Sequence, residues 1–397
     1  MNLFTQLFAV CSISLRGLPH RAASSAVIVI GTAGVVAVLL SVLALSTGLA
    51  GTLTATGSPE RAIVLHAQAS NEFGSTLAHD AIATILDAPG IARDAARKPI
   101  ASAEVLAAVN LARVDNGRLS ALTLRGVSPG ALQALRPELH IVQGRLFQSG
   151  LRELVVGRSA QERYAHLGVG SHVRFGENDW TVVGSFDSGG GAHDSEVLAD
   201  ADTVLAAYQR GTYNSVIVRL AQPDALQTLR TALQHDPTLA VQVFSESDYY
   251  AQQSRTFARF LGLIARVISV IMAVGAVFAA LNTMYSAVST RAVEIATLRA
   301  IGFGATGVVA SVMLEALVLS VLGALVGAAL AWSVFDGNTV STIGGGNSLS
   351  QVVFHLHIGP ALITLGIVWA CVVGLIGGLA PAIRAARIPV AVALRAI

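Results

Sequence analysis

Charge is scarce in this sequence. Asp, Glu, Lys and Arg together make 13% of 397 residues, about half the ~25% of an ordinary soluble chain. Hydrophobic residues make 53%, and mean hydropathy is +0.63. An average soluble enzyme, a disordered chain and a fibrous protein all fit these figures poorly. Lysine is nearly missing. Lys98 is the only one, and the rest of the 26 basic residues are arginine. A P-loop ATPase needs a lysine behind its glycine loop to reach the nucleotide phosphates. Lys98 is followed by Pro99 and has no such loop before it, so these residues carry no Walker-type site, and Schiff-base chemistry is equally ill supported. Cysteine is limited to Cys11 and Cys371. Neither falls between residues 50 and 258, which excludes a disulfide framework or a cysteine-based metal site there. A net charge of +2 selects no partner by itself, and no nucleic acid is expected.

What the sequence has instead is long apolar runs. A helix needs roughly 20 residues to cross a bilayer. Four runs qualify, at about 26–49, 267–288, 307–333 and 360–380. With its flank the second occupies 259–289. The first exceeds the 7–15 apolar residues of a cleavable signal, so it reads as an uncleaved span. Arginines in the short flanks set the orientation. Arg16 and Arg21 precede the first span, Arg291 and Arg299 lie between the second and third, and Arg384, Arg387 and Arg395 follow the fourth. The 334–359 loop has no Lys or Arg. Both termini and the 290–306 link are therefore predicted to be cytoplasmic, with 50–258 and 334–359 outside. Residues 1–25 place Leu3, Phe4, Leu7, Phe8, Cys11 and Leu15 on one face, which suits a cytoplasmic amphipathic helix in the membrane surface. The 381–397 tail is cytoplasmic.

The external stretch 50–258 is of domain size and reads as α+β. Strand patterns cover Ala62–His66, Glu153–Val156, His172–Phe175, Trp180–Phe186, Ser215–Leu220 and Val241–Phe244. Helix patterns cover Phe73–Asp87, Ser159–Leu167, Ala199–Gln209 and Asp224–His235. Gly189–Gly190–Gly191 reads as a flexible loop. No lysine-bearing helix start follows it, so it is no phosphate cradle. His193 and Asp194 come next, but a dipeptide is not a site. The external histidines show no metal-ligand spacing, and no nucleophile elbow is present.

The 290–306 link favours helix and turns toward the cytoplasm. Arg291 and Glu294 stand three apart and can pair on one face. Ala292, Ile295, Leu298, Ala300 and Ile301 offer an apolar side, and Gly302 and Gly304 stop the helix. By pattern alone it reads equally as a small docking helix or as an ordinary loop with a positive-inside bias. Glu315 lies about eight residues into the third span, roughly 12 Å deep at 1.5 Å per residue. A carboxylate there costs several kcal/mol unless it is paired, neutral or near the interface. Its expected partner is the coupling segment, or Asn282 across the bundle. Gly323 and Gly327 form a weak Gly-x-x-x-Gly signal for close helix contact.

The stretch from Leu281 to Gly327 resembles the signature of the FtsX-like, MacB-type ABC transporter permeases. Members carry an Asn at the end of span two, a coupling segment R-x-x-E-I-x-x-L-R-A-I-G and a Glu in span three. Here these are Asn282, then Arg291, Glu294, Ile295, Leu298, Arg299, Ala300, Ile301 and Gly302, then Glu315. Pro381, Pro389, Leu394 and Arg395 match the family's ending, and the segments Gly144–Phe147 and 154–186 resemble its periplasmic core domain. The resemblance implies four transmembrane α-helices with a large α+β periplasmic domain between helices one and two, in a bacterial inner membrane. It implies that the chain itself binds no cofactor or metal. A separate ABC ATPase subunit, itself binding ATP and Mg, would dock at the coupling helix, and a second permease copy, identical or not, would complete a dimer. A periplasmic adaptor and membrane lipids are further implied partners. The expected function is mechanical coupling of ATP hydrolysis to a periplasmic change that exports a drug, lipid, peptide or lipoprotein. The alternative is FtsX-like regulation of an envelope enzyme without transport. A membrane-anchored enzyme or sensor fits least, because no catalytic constellation is visible.

Overall fold

A computed structural model describes residues 22–222, 224–236, 238–302, 304–341, 353–387 and 389. The amphipathic face expected within 1–25, up to residue 21, and the Leu394–Arg395 ending lie outside them. The chain divides into two compact units. One takes Gly48–Phe257 with Thr339–His355; the other takes the chain up to Thr47, Ala258–Asn338 and the chain from Leu356.

The membrane unit holds helices α1 (Ala22–Thr56), α7 (Glu246–Thr290), α8 (Ala292–Ala300), α9 (Ala305–Phe335) and α10 (Pro360–Arg387). The ends of α1 and α7 run on into the other unit. Among the described residues, four helices are long and apolar enough to span a membrane: Ser25–Thr56, Arg259–Thr290, Ala305–Phe335 and Pro360–Arg387. Each outruns the apolar run read from sequence, because a helix satisfies its own backbone in or out of lipid and needs no special stop at the interface. α10 even continues through Pro381, which is buried.

Helix association in lipid lacks a hydrophobic drive, so close backbone approach matters. Gly323 and Gly327 of α9 meet α1 at Val29, Thr32 and Ala33, where a Cβ would strike backbone. Gly374 and Gly378 of α10 face Ser320 and Ala316 of α9, and Gly377 faces Ala280 of α7. α9 is the central helix: half of its apolar window is buried, against 22% for the α7 window.

The other unit is built on a ten-stranded mixed sheet. Its strands are β1 (Arg61–His66), β2 (Ala101–Ala112), β3 (Leu119–Val127), β4 (His140–Gly144), β5 (Glu153–Gly157), β6 (His172–Phe175), β7 (Asn178–Asp187), β8 (Glu196–Asp200), β9 (Ser215–Arg219) and β10 (Val241–Ser245). Their order is β10-β1-β9-β2-β3-β8-β5-β7-β4, with β6 paired to β7. β3 with β8 and β5 with β7 are parallel; the other pairs are antiparallel. Short helices α2 (His79–Asp87), α3 (Pro129–Leu135), α4 (Arg158–Arg163), α5 (Ala201–Ala207) and α6 (Ala225–Gln234) complete the α+β unit. Its core includes Ile85, Leu122, Leu124, Trp180, Val216 and Leu229. A small hairpin, β11 (Thr339–Ser341) with β12 (Val353–His355), comes from the loop between α9 and α10.

The six strand patterns read from sequence are present. β2, β3, β4 and β8 are additional. β4 is exposed along its whole length at the sheet edge, so it has no buried face to give an alternating pattern. β2, β3 and β8 were obscured by buried charge. Register puts Leu106 opposite Arg125 and Thr123 opposite Glu196, so Glu104, Arg125 and Glu196 share one sheet face. Arg125 makes five hydrogen bonds to three carboxylates, which uses every N–H of its guanidinium. The partners are Glu196, Glu104 and Glu72, at 2.7–3.1 Å. Arg136 adds two bonds to Glu104, and Ser215 Oγ donates to Glu72. Burial alone would raise the Glu104 and Glu196 carboxyls. The neighbouring cations, Arg136 and Arg125 for Glu104 and Arg125 then His193 for Glu196, overcome it and hold both below the usual range.

Removing one partner of a buried ion pair leaves an uncompensated charge, at a cost of about 3–5 kcal/mol. Arg125→Met is expected to lower stability by that order at neutral pH, read by thermal melting of the full chain in detergent. The depressed carboxyls stabilise the fold above their unfolded pKa of about 4.3 and lose that contribution as pH falls through their folded values. The wild type should therefore weaken only below about pH 4.3. The Arg125→Met deficit should shrink on acidification, when its stranded carboxylates protonate. A deficit that stays constant with pH would contradict the electrostatic account.

Candidate functional site

α8 is a nine-residue helix between α7 and α9. Arg291 stands at its start with φ −99°, and Ile295 N–H donates to Arg291 O at 2.9 Å. Gly302 ends it with φ +105°, a left-handed conformation that favours glycine. Ile301 and Gly302 donate their N–H groups back to Thr297 and Arg299 carbonyls, which closes the last turn.

Ile295 and Ala296 are buried, and Ile295 joins a cluster with Met284 and Val288 of α7, Val308 and Val312 of α9 and Ala382 of α10. The opposite side is open. Val293, Glu294, Thr297, Ala300, Ile301 and Gly302 are exposed, Ile301 at 72%. Arg299 is half-buried, and the Leu298 side chain lies outside the described residues.

Arg291 Nη1 lies 3.1 Å from Glu315 Oε2 on α9, and the two side chains are 14% and 6% exposed. The i,i+3 partner Glu294 stands looser, at 4.0 Å and with its side chain 71% exposed. Of the two partners the sequence offered Glu315, the structure joins it to the coupling segment. Asn282 is exposed on α7 and is not brought to it. A second contact at this level was invisible in sequence: the Arg384 guanidinium of α10 lies 5.2 Å over the Tyr285 ring of α7. A cation–π pair between residues so distant in the chain leaves no local signal.

Among the described residues no group of His, Cys, Asp and Glu could hold a metal ion. His355 lies on β12, and His357 Nδ1 sits 3.2 Å from Asp336 Oδ1. The arrangement holds a small helix by one face and one ion pair while its other face is exposed.

The MacB-like periplasmic core domain family matches residues 23–236, and the FtsX-like permease C-terminal family matches 266–390. Among solved structures, the extracellular domain of the ABC-type transporter YknZ from Gram-positive bacteria is 16% identical, with a TM-score of 0.36 over 46% of this chain and 99% of that one. The periplasmic region of MacB from Actinobacillus actinomycetemcomitans is 16% identical, with a TM-score of 0.37 over 50% of this chain and 94% of that one. A permease-protein domain from Porphyromonas gingivalis is 16% identical, with a TM-score of 0.33 over 47% and 90%. No curated protein matches.

The two matches make this multi-pass membrane protein an ABC transporter permease in class. The chain belongs to the FtsX-like, MacB-type permease family. The family implies an ATPase partner and dimerisation in general.

Arg291→Met or Glu315→Met alone leaves one charge withdrawn from water without its partner. The double variant is expected to be less destabilised than the sum of the singles, with a coupling of about 1–3 kcal/mol by thermal melting in detergent. Additive losses would show that the pair carries no interaction.

Proposed function

We propose that this chain couples ATP hydrolysis on a separate ABC ATPase subunit to motion of its external domain, and that this motion drives export of a drug, lipid, peptide or lipoprotein. The observation that carries the reading is the two-sidedness of α8. Ile295, Ala296 and the Arg291–Glu315 pair fasten it to the bundle. Val293, Glu294 and Ile301 face outward as an apolar and acidic surface for a partner. A push on that surface moves α7 and α9 together, because Arg291 alone separates α8 from α7 and pairs with Glu315 of α9.

Within this reading ATP and Mg sit on the partner, which docks at Arg291–Gly302, and two permease copies form the working unit. The membrane is the bacterial inner membrane, with both termini and α8 on the cytoplasmic side. A periplasmic adaptor collects the substrate. Regulation of an envelope enzyme would use the same machinery, and what copurifies separates the two.

Ile301→Asp places a charge on the most exposed apolar residue at the end of α8. It is expected to abolish copurification of the ATPase from native cells, scored by mass spectrometry, while Ile301→Leu retains it. Leu298→Asp is expected to uncouple ATP hydrolysis from export. Retention of the ATPase by Ile301→Asp, with export intact in Leu298→Asp, would remove α8 as the docking site. An adaptor among the retained proteins supports export; a murein hydrolase in its place supports the regulatory reading.

A further inference from the structure

Residues Ala192, His193, Asp194 and Ser195 form a 3-10 turn, and all four are buried. A buried turn of this polarity must find partners, and here each residue finds them on a different segment. Ala192 N–H donates to Thr56 Oγ1 at 2.7 Å, in the last turn of α1. Ser195 Oγ accepts from Val353 N–H at 2.9 Å, at the start of β12 in the α9–α10 connection. His193 Nδ1–H donates to Glu196 at 2.8 Å, and its ring meets Tyr250 of α7 edge-on, with centroids 6.4 Å apart. The Asp194 carboxylate accepts from the backbone N–H groups of Ser188 and Gly190. The glycine loop is therefore closed by Asp194 rather than free, with Gly189 and Gly190 at φ 72° and 83°.

Packing leaves the turn no slack. A Cβ on Gly157, at the end of β5, would strike the Asp194 backbone. A Cβ on Gly48 of α1 would lie 2.6 Å from His355 O of the hairpin. β8 follows Ser195 without a linker, and its first residue, Glu196, is bound to Arg125 at the centre of the sheet.

We propose that the 192–195 turn is the joint at which displacements of α1, α7 and the α9–α10 connection are gathered and delivered to the sheet. His193 and Ser195 are its positioning residues. The inference rests on the mechanical reading of function above and adds the place where the motion is passed on. A movement of Thr56 carries Ala192 with it, and through β8 it reaches the Arg125 cluster. Glu246, at the root of α7, accepts from Ser58 N–H and from Arg61, so the exits of α1 and α7 are fastened to one another before they reach the turn.

Coupling between two points of one joint is reciprocal. Thr56→Val removes the acceptor of the Ala192 amide; Ser195→Ala removes that of the Val353 amide. In hydrogen–deuterium exchange of the full chain in detergent, each variant is expected to speed exchange at both amides by roughly fivefold. Tyr164→Phe, which deletes a hydroxyl bond to Ala121 O elsewhere in the same unit, is expected to change neither. Acceleration confined to each variant's own amide would overturn the joint, as would equal acceleration in Tyr164→Phe. The measurement needs no ATPase, so its failure leaves the permease reading standing, and a failure to copurify an ATPase leaves this result untouched.

Discussion

A charge withdrawn from water must meet an opposite charge, and this chain pairs such charges where helices are joined to something else and at the centre of its sheet. Arg291 and Glu315 pair where α8 is fastened to α9. Arg61 and Glu246 pair where α1 gives way to β1 and where β10 becomes α7. Arg125 and its three carboxylates pair at the middle of the sheet. Apolar packing fills the rest of the molecule, but it slides and tolerates repacking. A hydrogen-bonded ion pair out of water has one geometry, and leaving it is expensive. The paired charges therefore fix how one element follows another.

The same constraint accounts for the shape of the membrane unit. With so few charges to anchor them, the helices approach closely through glycine: Gly323 and Gly327 against α1, Gly374 and Gly378 against α9. These contacts make α9 the central helix, and Glu315 is the carboxylate it carries. A helix docked to α9 by Arg291 is docked to the element that touches α1 and α10.

Sequence revealed those features whose signal is local. Long apolar runs announced the spans, short strand-like runs announced β1, β5, β6, β7, β9 and β10, and the spacing from Arg291 to Gly302 announced α8. Glu315 was legible because a carboxylate in an apolar run demands a partner. What escaped was set by contacts distant in the chain. Glu104, Arg125 and Glu196 put charges into the buried strands β2, β3 and β8, and they become intelligible only when the register brings them together. Ile295, read as part of an exposed apolar side, is turned into the bundle by the position of α8. His193 and Asp194, two residues in a sequence, become a junction because Thr56, Val353 and Tyr250 arrive from far along the chain.

The central claim is that nucleotide on a partner subunit moves the external domain. It is tested most directly by pulsed-EPR distances between spin labels at exposed Asn116, one on each copy, in the complex purified with its ATPase. Cys11 and Cys371 are first replaced by alanine. The account predicts that the distance distribution shifts when ATP is added and returns after hydrolysis. An unchanged distribution, from a complex that hydrolyses ATP, would contradict it.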